Sequence, residues 1–196
     1  MKKLLFVISI FMCTLFGSQA YAAPEMEAIP EEVFQWVQSS SRMDYYFNRQ
    51  QMHFGKDSSG NVDTNQIVVP TLKIYDDLMR NDVLSKRRWN GKSMERFSEL
   101  AGVAEYLVFD LKAKTVTTKR VEYLDYTFTT IEQETPDQVT KMEELSHQSF
   151  AYKFYTAILD YGLSHQVDLA KRVNSKLDPK LEAKLLEAQK AYKPKK

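Results

Sequence analysis

The chain has 196 residues with 27 basic and 26 acidic side chains, which gives a formal net charge of +1 at pH 7. This length suits one domain that buries its own hydrophobic core. The balanced charge argues against a nucleic-acid partner, because proteins that bind the phosphate backbone usually carry a clear excess of Lys and Arg. With six glycines in the whole chain, the sequence also contains no glycine-rich loop for phosphate binding.

The first 22 residues have the three parts of a secretory signal peptide. Lys2 and Lys3 form a short basic region, an uncharged apolar run covers 4–16, and Ala20-Tyr21-Ala22 supplies the small residues that signal peptidase recognises. The apolar run is shorter than the roughly 20 residues that span a bilayer. We therefore predict an exported protein, periplasmic or extracellular, with no transmembrane segment in the mature chain.

The cysteine content fits an exported protein whose stability comes from packing. The single cysteine, Cys13, lies inside the predicted signal and follows Phe11-Met12 instead of the small residue that a lipoprotein signal requires. Removing 22 of the 196 residues leaves a cysteine-free mature chain of 174. Two of the 27 basic residues lie in the signal, so 25 remain against 26 acidic ones and the mature net charge is −1. Such a chain gains no stability from disulfides.

Residues 33–134 contain short segments of β-branched and aromatic residues separated by turn residues, which is typical of a β-meander. The clearest strands are predicted at 105–111, 116–124 and 126–132. Another strand is predicted at 67–75, and it contains Pro70. Because proline cannot donate a backbone hydrogen bond to a neighbouring strand, we expect this strand to lie at a sheet edge or to contain a bulge.

Two helices are predicted around and after these strands. A short helix at 93–101 would end at Gly102, since glycine favours helix C-termini. A long helix at 136–161 follows the capping sequence Thr135-Pro136-Asp137-Gln138 and is expected to end at Gly162. Its apolar residues recur at helical spacing, so one face of this helix is predicted to cover the sheet.

These elements predict the α+β class, with an antiparallel sheet of about five or six strands packed by the long helix of the C-terminal half. A helical extension is expected beyond that helix, with its last helix starting at Asp178-Pro179. The predicted boundaries are a signal peptide at 1–22, an acidic linker at 23–32, the α+β domain at 33–162, and a helical extension with a basic tail at 163–196.

The residues that most enzymes use are sparse in this chain. It has three histidines and, after the predicted cleavage, no thiol, no Gly-x-Ser-x-Gly motif and no Ser-x-x-Lys motif. Glu144 and His147 have the Glu-x-x-His spacing of di-iron bundles, but the sequence holds no second copy. His165 is expected to interact with the negative end of the long helix. We therefore predict no catalytic residue, no metal and no cofactor.

The predicted ligand-binding residues form the densest basic cluster inside the domain: Lys86, Arg87, Arg88 and Trp89, with Arg80 and Lys92 nearby. Turn-forming residues on both sides, Asn81-Asp82 and Asn90-Gly91, predict a loop in which the three cations converge on one anionic partner. The tryptophan could add cation–π or interfacial contacts. An ordinary solvated loop is the alternative interpretation of the same residues.

A second group of residues is aromatic: Trp36, Tyr45, Tyr46, Phe47 and Phe54. Such rings can form a stacking platform for sugars. A cysteine-free β domain must also fill its interior with large side chains, so we expect most of these rings in the core.

The order of aromatic strands resembles the small exported bacterial domain typified by surface-adhesin protein E. The residues that carry the resemblance are Trp36, Tyr45-Tyr46-Phe47-Asn48, Lys73-Ile74-Tyr75, the strand at 106–110 and the strand at 119–122. The resemblance covers about residues 33–160. It implies an antiparallel sheet packed by helices, and family members proposed as adhesins bind host matrix proteins. Asn48 stands where an acidic residue is expected, and the cysteines and lipid anchor of some relatives are absent.

Three functions are consistent with these features. The first is an exported, non-catalytic and adhesin-like binding protein that recognises a protein or polyanion outside the cytoplasm. The second is an envelope glycan hydrolase with paired carboxylates, which 26 acidic residues leave open. The third is an envelope chaperone or inhibitor that pairs with its partner through an exposed sheet edge.

The signal prediction has a direct test. If Ala20-Tyr21-Ala22 is the recognition site, the exported protein starts at Ala23, and replacing Ala22 by a bulky residue leaves an uncleaved precursor held at the membrane. N-terminal sequencing of the exported protein decides the point. A start within 4–16, or a lipid on Cys13, would show that the assignment is wrong.

Overall fold

The computed structural model describes residues 26–194, which form one antiparallel sheet of eight strands together with four α-helices. The strands are β1 (Phe34–Ser39), β2 (Met43–Asn48), β3 (His53–Lys56), β4 (Val62–Tyr75), β5 (Leu100–Asp110), β6 (Thr115–Asp125), β7 (Thr130–Glu134) and β8 (Gln138–Lys141). The helices are α1 (Asp77–Trp89), α2 (Phe150–Ser164), α3 (Gln166–Val173) and α4 (Pro179–Ala191). The predicted α+β class with an antiparallel sheet is confirmed.

The sheet is built around two long strands, each of which has two short neighbours on its outer side. The strand order is β1-β2-β4-β5-β6-β7. Beyond that path, β3 pairs with the first half of β4, and β8 pairs with the first half of β6. The sheet therefore has more strands than the five or six expected, because two short strands share a neighbour with a longer one.

The strand with Pro70 does not lie at an edge, but it has the irregularity expected as the alternative, because its pairing with β3 shifts register between Ile67 and Asp63. It belongs to β4, which lies between β2 and β3 on one side and β5 on the other. Pro70 pairs with Tyr106 of β5 within a continuous register, without a bulge. On the opposite side β2 reaches only Thr71 and β3 begins only at Val68. Pro70 thus falls in the gap between two partner strands. On that side of β4 no neighbouring strand needs a backbone hydrogen bond from residue 70.

The main core lies between one face of the sheet and helices α2, α3 and α4. Phe154 and Ile158 on the inner side of α2 are almost fully buried, as are Ile67 and Leu107 on the strands. The predicted helical extension is part of the same core, and it contributes Leu169, Ala170 and Leu185. Residues after 162 therefore help to build the domain instead of only following it.

The N-terminal part of the predicted helix at 136–161 is a strand, not a helix. Gln138–Lys141 forms β8 and pairs with Thr115–Thr118 of β6, so the sheet satisfies its backbone groups. Asp137 has a left-handed φ of 48°, which is incompatible with a helical first turn. The helix begins only at Phe150. Ser149 is its N-cap, and the Ser149 hydroxyl accepts a hydrogen bond from the Tyr152 amide at 3.1 Å.

Gly162 does not end α2, which continues to Ser164. A Cβ atom at Gly162 would lie 2.9 Å from the Met52 methyl carbon and 3.0 Å from the Ile67 Cδ1 atom. The glycine therefore allows α2 to approach the sheet closely. The last predicted helix is confirmed: Asp178 caps α4 by accepting hydrogen bonds from the amides of Lys180 and Leu181 at 2.9 and 3.2 Å.

The predicted helix at 93–101 is also wrong. The segment forms only a single 3₁₀ turn, Phe97–Glu99, before β5 begins at Leu100. Gly102 is a strand residue, and a Cβ atom there would lie 2.2 Å from the Lys73 carbonyl oxygen. The glycine is needed because the β4 backbone passes too close for any side chain, so its role is close strand pairing and not helix capping.

The second face of the sheet is partly covered by the first described residues. Ile29 packs against a small cluster of Leu72, Ile74 and Leu124. The Glu27 amide donates to the Tyr126 carbonyl oxygen at 2.9 Å. The described part of the predicted linker thus has no helix or strand, but it is fixed to the sheet.

The signal peptide, its cleavage site and Cys13 lie outside the described residues 26–194. Within that range, no helix combines the length and the apolar character that crossing a membrane requires. The predictions of export and processing therefore stay predictions.

The packing of α2 predicts a large difference between two phenylalanines on the same helix. Phe154 is 1% exposed and Phe150 is 47% exposed. Replacing Phe154 by alanine should lower the free energy of unfolding by about 3 to 5 kcal/mol. Phe150→Ala is the matched control and should cost about 1 kcal/mol, since that half-exposed ring stacks on Tyr45 with centroids 6.2 Å apart and lies outside the buried core. Equal losses in urea denaturation would show that α2 does not pack as described.

Candidate binding surface

The four predicted ligand-binding residues lie in the last turn of α1, where a loop was expected. The Asp76 side chain caps this helix by accepting from the Met79 amide at 2.7 Å. Asn90 follows as the C-cap, and Gly91 adopts a left-handed φ of 63°. Of the two predicted turns, Asn90-Gly91 is the end of the helix, a position that asparagine and glycine also favour. Asn81-Asp82 lies inside the helix.

The loop prediction is wrong in a second respect, because the three cations do not converge. Arg87 is buried, with 4% of its surface exposed, whereas Trp89 is 91% exposed. Lys86 and Arg88 are exposed as well. Successive residues of a helix point about 100° apart, so Arg87 turns inward while its two basic neighbours turn outward.

Arg87 anchors α1 to the sheet. Its guanidinium forms a two-pronged ion pair with Glu132 of β7, with Nη1–Oε1 at 3.0 Å and Nη2–Oε2 at 2.6 Å. The same group donates to the Ser93 carbonyl oxygen from Nε at 3.2 Å and from Nη2 at 2.9 Å. Its flat face lies 3.6 Å from the centre of the Phe97 ring. The hydrogen bond from Arg87 lowers the pKa of Glu132, so the pair is charged at neutral pH.

The outward side of the same turn carries two cations without a carboxylate partner within residues 26–194: Lys86 and Arg88. The two nearby cations differ from them. Arg80 donates to the Tyr126 hydroxyl at 2.8 Å and also pairs with Asp77, and Lys92 pairs with Glu134. Lys86 and Arg88 therefore flank the exposed Trp89 ring as free charges.

A second exposed apolar residue, Leu78, lies on the same side of α1 as Trp89, with the polar residues Asn81, Asp82 and Ser85 between the two. Leu78 is 58% exposed and lies 11 residues earlier, which is close to three full helical turns. Both side chains thus lie on the same outward line of the helix, with the exposed Ser85 between them. This surface, formed by Leu78, Ser85, Lys86, Arg88 and Trp89, is called the α1 outer face below.

Cations at this position also have an ordinary structural role. The C-terminus of a helix carries a partial negative charge, and Lys or Arg in the last turn stabilises it by about 0.3 to 1 kcal/mol. Helix stabilisation accounts for the positive charges at 86 and 88. It does not account for a tryptophan with 91% of its surface in water.

The aromatic residues between β1 and β3 form core contacts more than a platform. Phe47 and Phe54 are almost fully buried and Tyr45 is 9% exposed, as expected. Trp36 is 55% exposed and donates to the Ser39 hydroxyl at 3.3 Å. Of the five rings, only Trp36 and the half-buried Tyr46 line a surface cavity, which is a smaller aromatic surface than the stacking platform considered from the sequence.

The histidines are occupied by local contacts. His165 Nδ1 lies 2.8 Å from the Tyr161 carbonyl oxygen, which confirms its predicted contact with the end of α2. Glu144 pairs with Lys141, while the His147 ring stacks on Tyr152 with centroids 4.4 Å apart. Within residues 26–194, no group of three or more His, Cys, Asp or Glu side chains is arranged to hold a metal ion.

One polar cluster was missed by the sequence reasoning. Lys73 of β4 and Glu105 of β5 form an ion pair with both Nζ–Oε distances at 2.7 Å, and each side chain is 17% exposed. Burial and the charge of Glu105 raise the pKa of Tyr155 to about 12, so this neighbouring phenol stays protonated. The two residues are 32 positions apart, and only the strand register brings them together.

Comparisons with known proteins add one structural neighbour. No family model matches the chain, and no curated protein matches it. The crystal structure of protein E from non-typeable Haemophilus influenzae aligns with 85% of this chain and 95% of its own, at 12% identity and a TM-score of 0.36. A likeness of this size establishes neither a shared family nor a shared function.

The anchor of α1 predicts a pH-dependent effect on stability. Glu132→Gln should lower the free energy of unfolding by about 2 kcal/mol at neutral pH, because a buried guanidinium loses its charged partner. The folded-state pKa of Glu132 is lowered, so its contribution is complete above the unfolded pKa of about 4.3 and is lost as the pH falls through the folded value.

Urea denaturation of both proteins across a pH series measures this effect. Glu134→Gln is the matched control, since Glu134 belongs to the same strand but pairs with the more exposed Lys92; we expect a loss below about 1 kcal/mol. A Glu132→Gln effect that does not shrink at acid pH would contradict the assigned charge pair.

Proposed function

We propose that this protein is an exported, non-catalytic binding protein that recognises an anionic partner, an acidic protein or a polyanion, through the α1 outer face. The observation that carries the proposal is Trp89, 91% exposed between Lys86 and Arg88 on a helix that Arg87 fixes to the sheet. Export rests on the predicted signal at 1–22. The sequence resemblance to the protein E-like domain adds that the partner would be extracellular and the role adhesin-like.

The surface has the properties that binding requires. Tryptophan and arginine are enriched among the residues that dominate binding energy, because they bury a large area and retain directional contacts. Two unpaired cations raise the rate of encounter with an anionic surface and add about 1 kcal/mol each near it. Since the ion pair of the buried Arg87 with Glu132 holds α1 against the sheet, the backbone of the outer face is preorganised and loses little conformational freedom on binding.

Three carboxyl groups are unsuited to the proton-donating role that the hydrolase alternative requires. An inverting or retaining glycosidase needs one carboxylic acid whose pKa is raised, so that it can donate a proton. Asp57, Asp125 and Glu132 have their pKa lowered, mainly by hydrogen bonds from backbone amides, hydroxyls or Arg87, with burial acting in the opposite direction. Groups of this kind hold structure in place as anions.

The edge-pairing alternative is weakened by the shape of the edge itself. β1 is the outer strand on one side of the sheet, and its register with β2 shifts between Trp36 and Gln38. A bulge of this kind twists an edge strand away from regular pairing with another chain. At the opposite side of the sheet the outer strand is β7, and its Glu132 is already engaged in the ion pair with Arg87 of α1.

The proposal is tested with a triple variant that leaves Arg87 intact. Replacing Lys86, Arg88 and Trp89 by alanine should weaken binding to heparin, or to an acidic matrix protein, by on the order of 10² and flatten its salt dependence. The free energy of unfolding should change by no more than about 1 kcal/mol, because all three side chains are exposed.

The matched control removes the same chemistry elsewhere: Trp36, Lys184 and Lys190, all exposed, are replaced by alanine. This control should bind like the unmodified protein across the salt series. If all three proteins bind heparin equally and weakly, the α1 outer face is an ordinary solvated helix surface.

A further inference from the structure

A second surface feature is a cleft of about 420 Å³ beside the outward side of α2. Its walls are the end of β5, the turn between β5 and β6, the segment that follows β8, and Tyr192 after α4. The apolar lining comes from Phe109, Leu111, Met142, Leu159 and Leu163. Small-molecule sites have volumes of roughly 300 to 1,000 Å³ and linings of this apolar character.

The charged groups around the cleft are mostly acidic. Asp110, Glu143 and Asp160 line it, together with one cation, Lys114. Asp110 Oδ1 accepts from the Ala113 amide at 2.7 Å, and Asp160 Oδ1 accepts from the Tyr192 hydroxyl. Burial, followed by the bond to Asp160, raises the pKa of Tyr192 to about 12, so the phenol remains a donor to the Asp160 carboxyl group.

Aromatic rings complete the rim. His147 stacks on Tyr152, and both rings line the cleft together with Tyr192. The negative face of a tyrosine ring attracts organic cations, most strongly where water is excluded. The cleft therefore combines an apolar floor, aromatic walls and three carboxylates against one lysine.

We propose that this cleft binds a small amphiphilic cation, a molecule with an apolar or aromatic body and one ammonium group. The body would lie against Leu159 and Leu163, and the ammonium group would face the carboxylates of Glu143 and Asp160. This proposal is independent of the α1 outer face, which shares no residue with the cleft.

The charge of the lining decides between this ligand and two others. A fatty acid or another anionic amphiphile would bring its carboxylate among three like charges, with Lys114 alone to offset them. The described end of the chain is also disfavoured as an occupant, because Lys193 and Pro194, directly after Tyr192, are exposed and do not line the cleft.

Three probes of equal shape and different charge test the proposal: 4-phenylbutylamine, 4-phenylbutan-1-ol and 4-phenylbutyrate. The purified protein is titrated with each while amide chemical shifts are followed by NMR. The amine should bind with a Kd of about 1 mM, the alcohol about tenfold more weakly, and the carboxylate more weakly still. The shifted amides should include Tyr152, Thr156 and Leu159 of α2.

Two variants separate this site from general attraction of cations. Glu143→Gln should weaken amine binding by about threefold to tenfold and leave alcohol binding unchanged, because it removes one charge at the rim. Glu144→Gln is the matched control, since Glu144 pairs with Lys141 and does not line the cleft. Thr156→Met, on the wall of the cleft, should reduce binding of the amine and the alcohol alike by filling the space.

Several results would overturn the proposal. Equal or tighter binding of 4-phenylbutyrate would mean that the cleft selects anions. Absence of saturation by the amine up to ~20 mM, well above the expected Kd, would mean that the cleft has no such ligand. Equal effects of Glu143→Gln and Glu144→Gln, or full binding to Thr156→Met, would place the amine elsewhere on the protein.

Discussion

The contact between α2 and the centre of the sheet is the interaction on which the other parts of the structure depend. Gly162 lets the helix lie against Met52 and Ile67 with no side chain between them. That close approach buries Phe154 and Ile158 and leaves the outward side of α2 free to form one wall of the cleft. Helices α3 and α4 complete the same core, so the cleft wall and the C-terminal Tyr192 are positioned by one packing arrangement.

The second constraint is electrostatic, and it concerns α1. A buried guanidinium without a partner would cost several kcal/mol, so Arg87 ties the last turn of α1 to Glu132 and to the Ser93 carbonyl oxygen. This requirement fixes the rotation of α1 about its own axis. The rotation in turn determines that Lys86, Arg88 and Trp89 face water. The α1 outer face is therefore a consequence of the inward position of Arg87.

The two proposed surfaces differ in the type of partner that they suit. The α1 outer face is convex, basic and carries an exposed ring, which fits a large anionic surface better than a small molecule. The cleft beside α2 is concave and acidic, which fits a small cation. Their opposite charges are hidden in the overall balance of the sequence, because a net charge of +1 reports only the sum and not its distribution over the surface.

The sequence by itself determined the class of fold, most strands, the α4 cap at Asp178 and the apolar stripe around Phe154, because these depend on local periodicity and capping. Only the tertiary structure decided the outcome where the same residues suit two local structures. Asn90-Gly91 is both a turn and a helix end, and Gln138–Lys141 became a strand because β6 offered it hydrogen bonds. The inward direction of Arg87 and the lining of the cleft depend on residues far apart in the chain, such as Glu132 and Tyr192. No local pattern in the sequence contains that information.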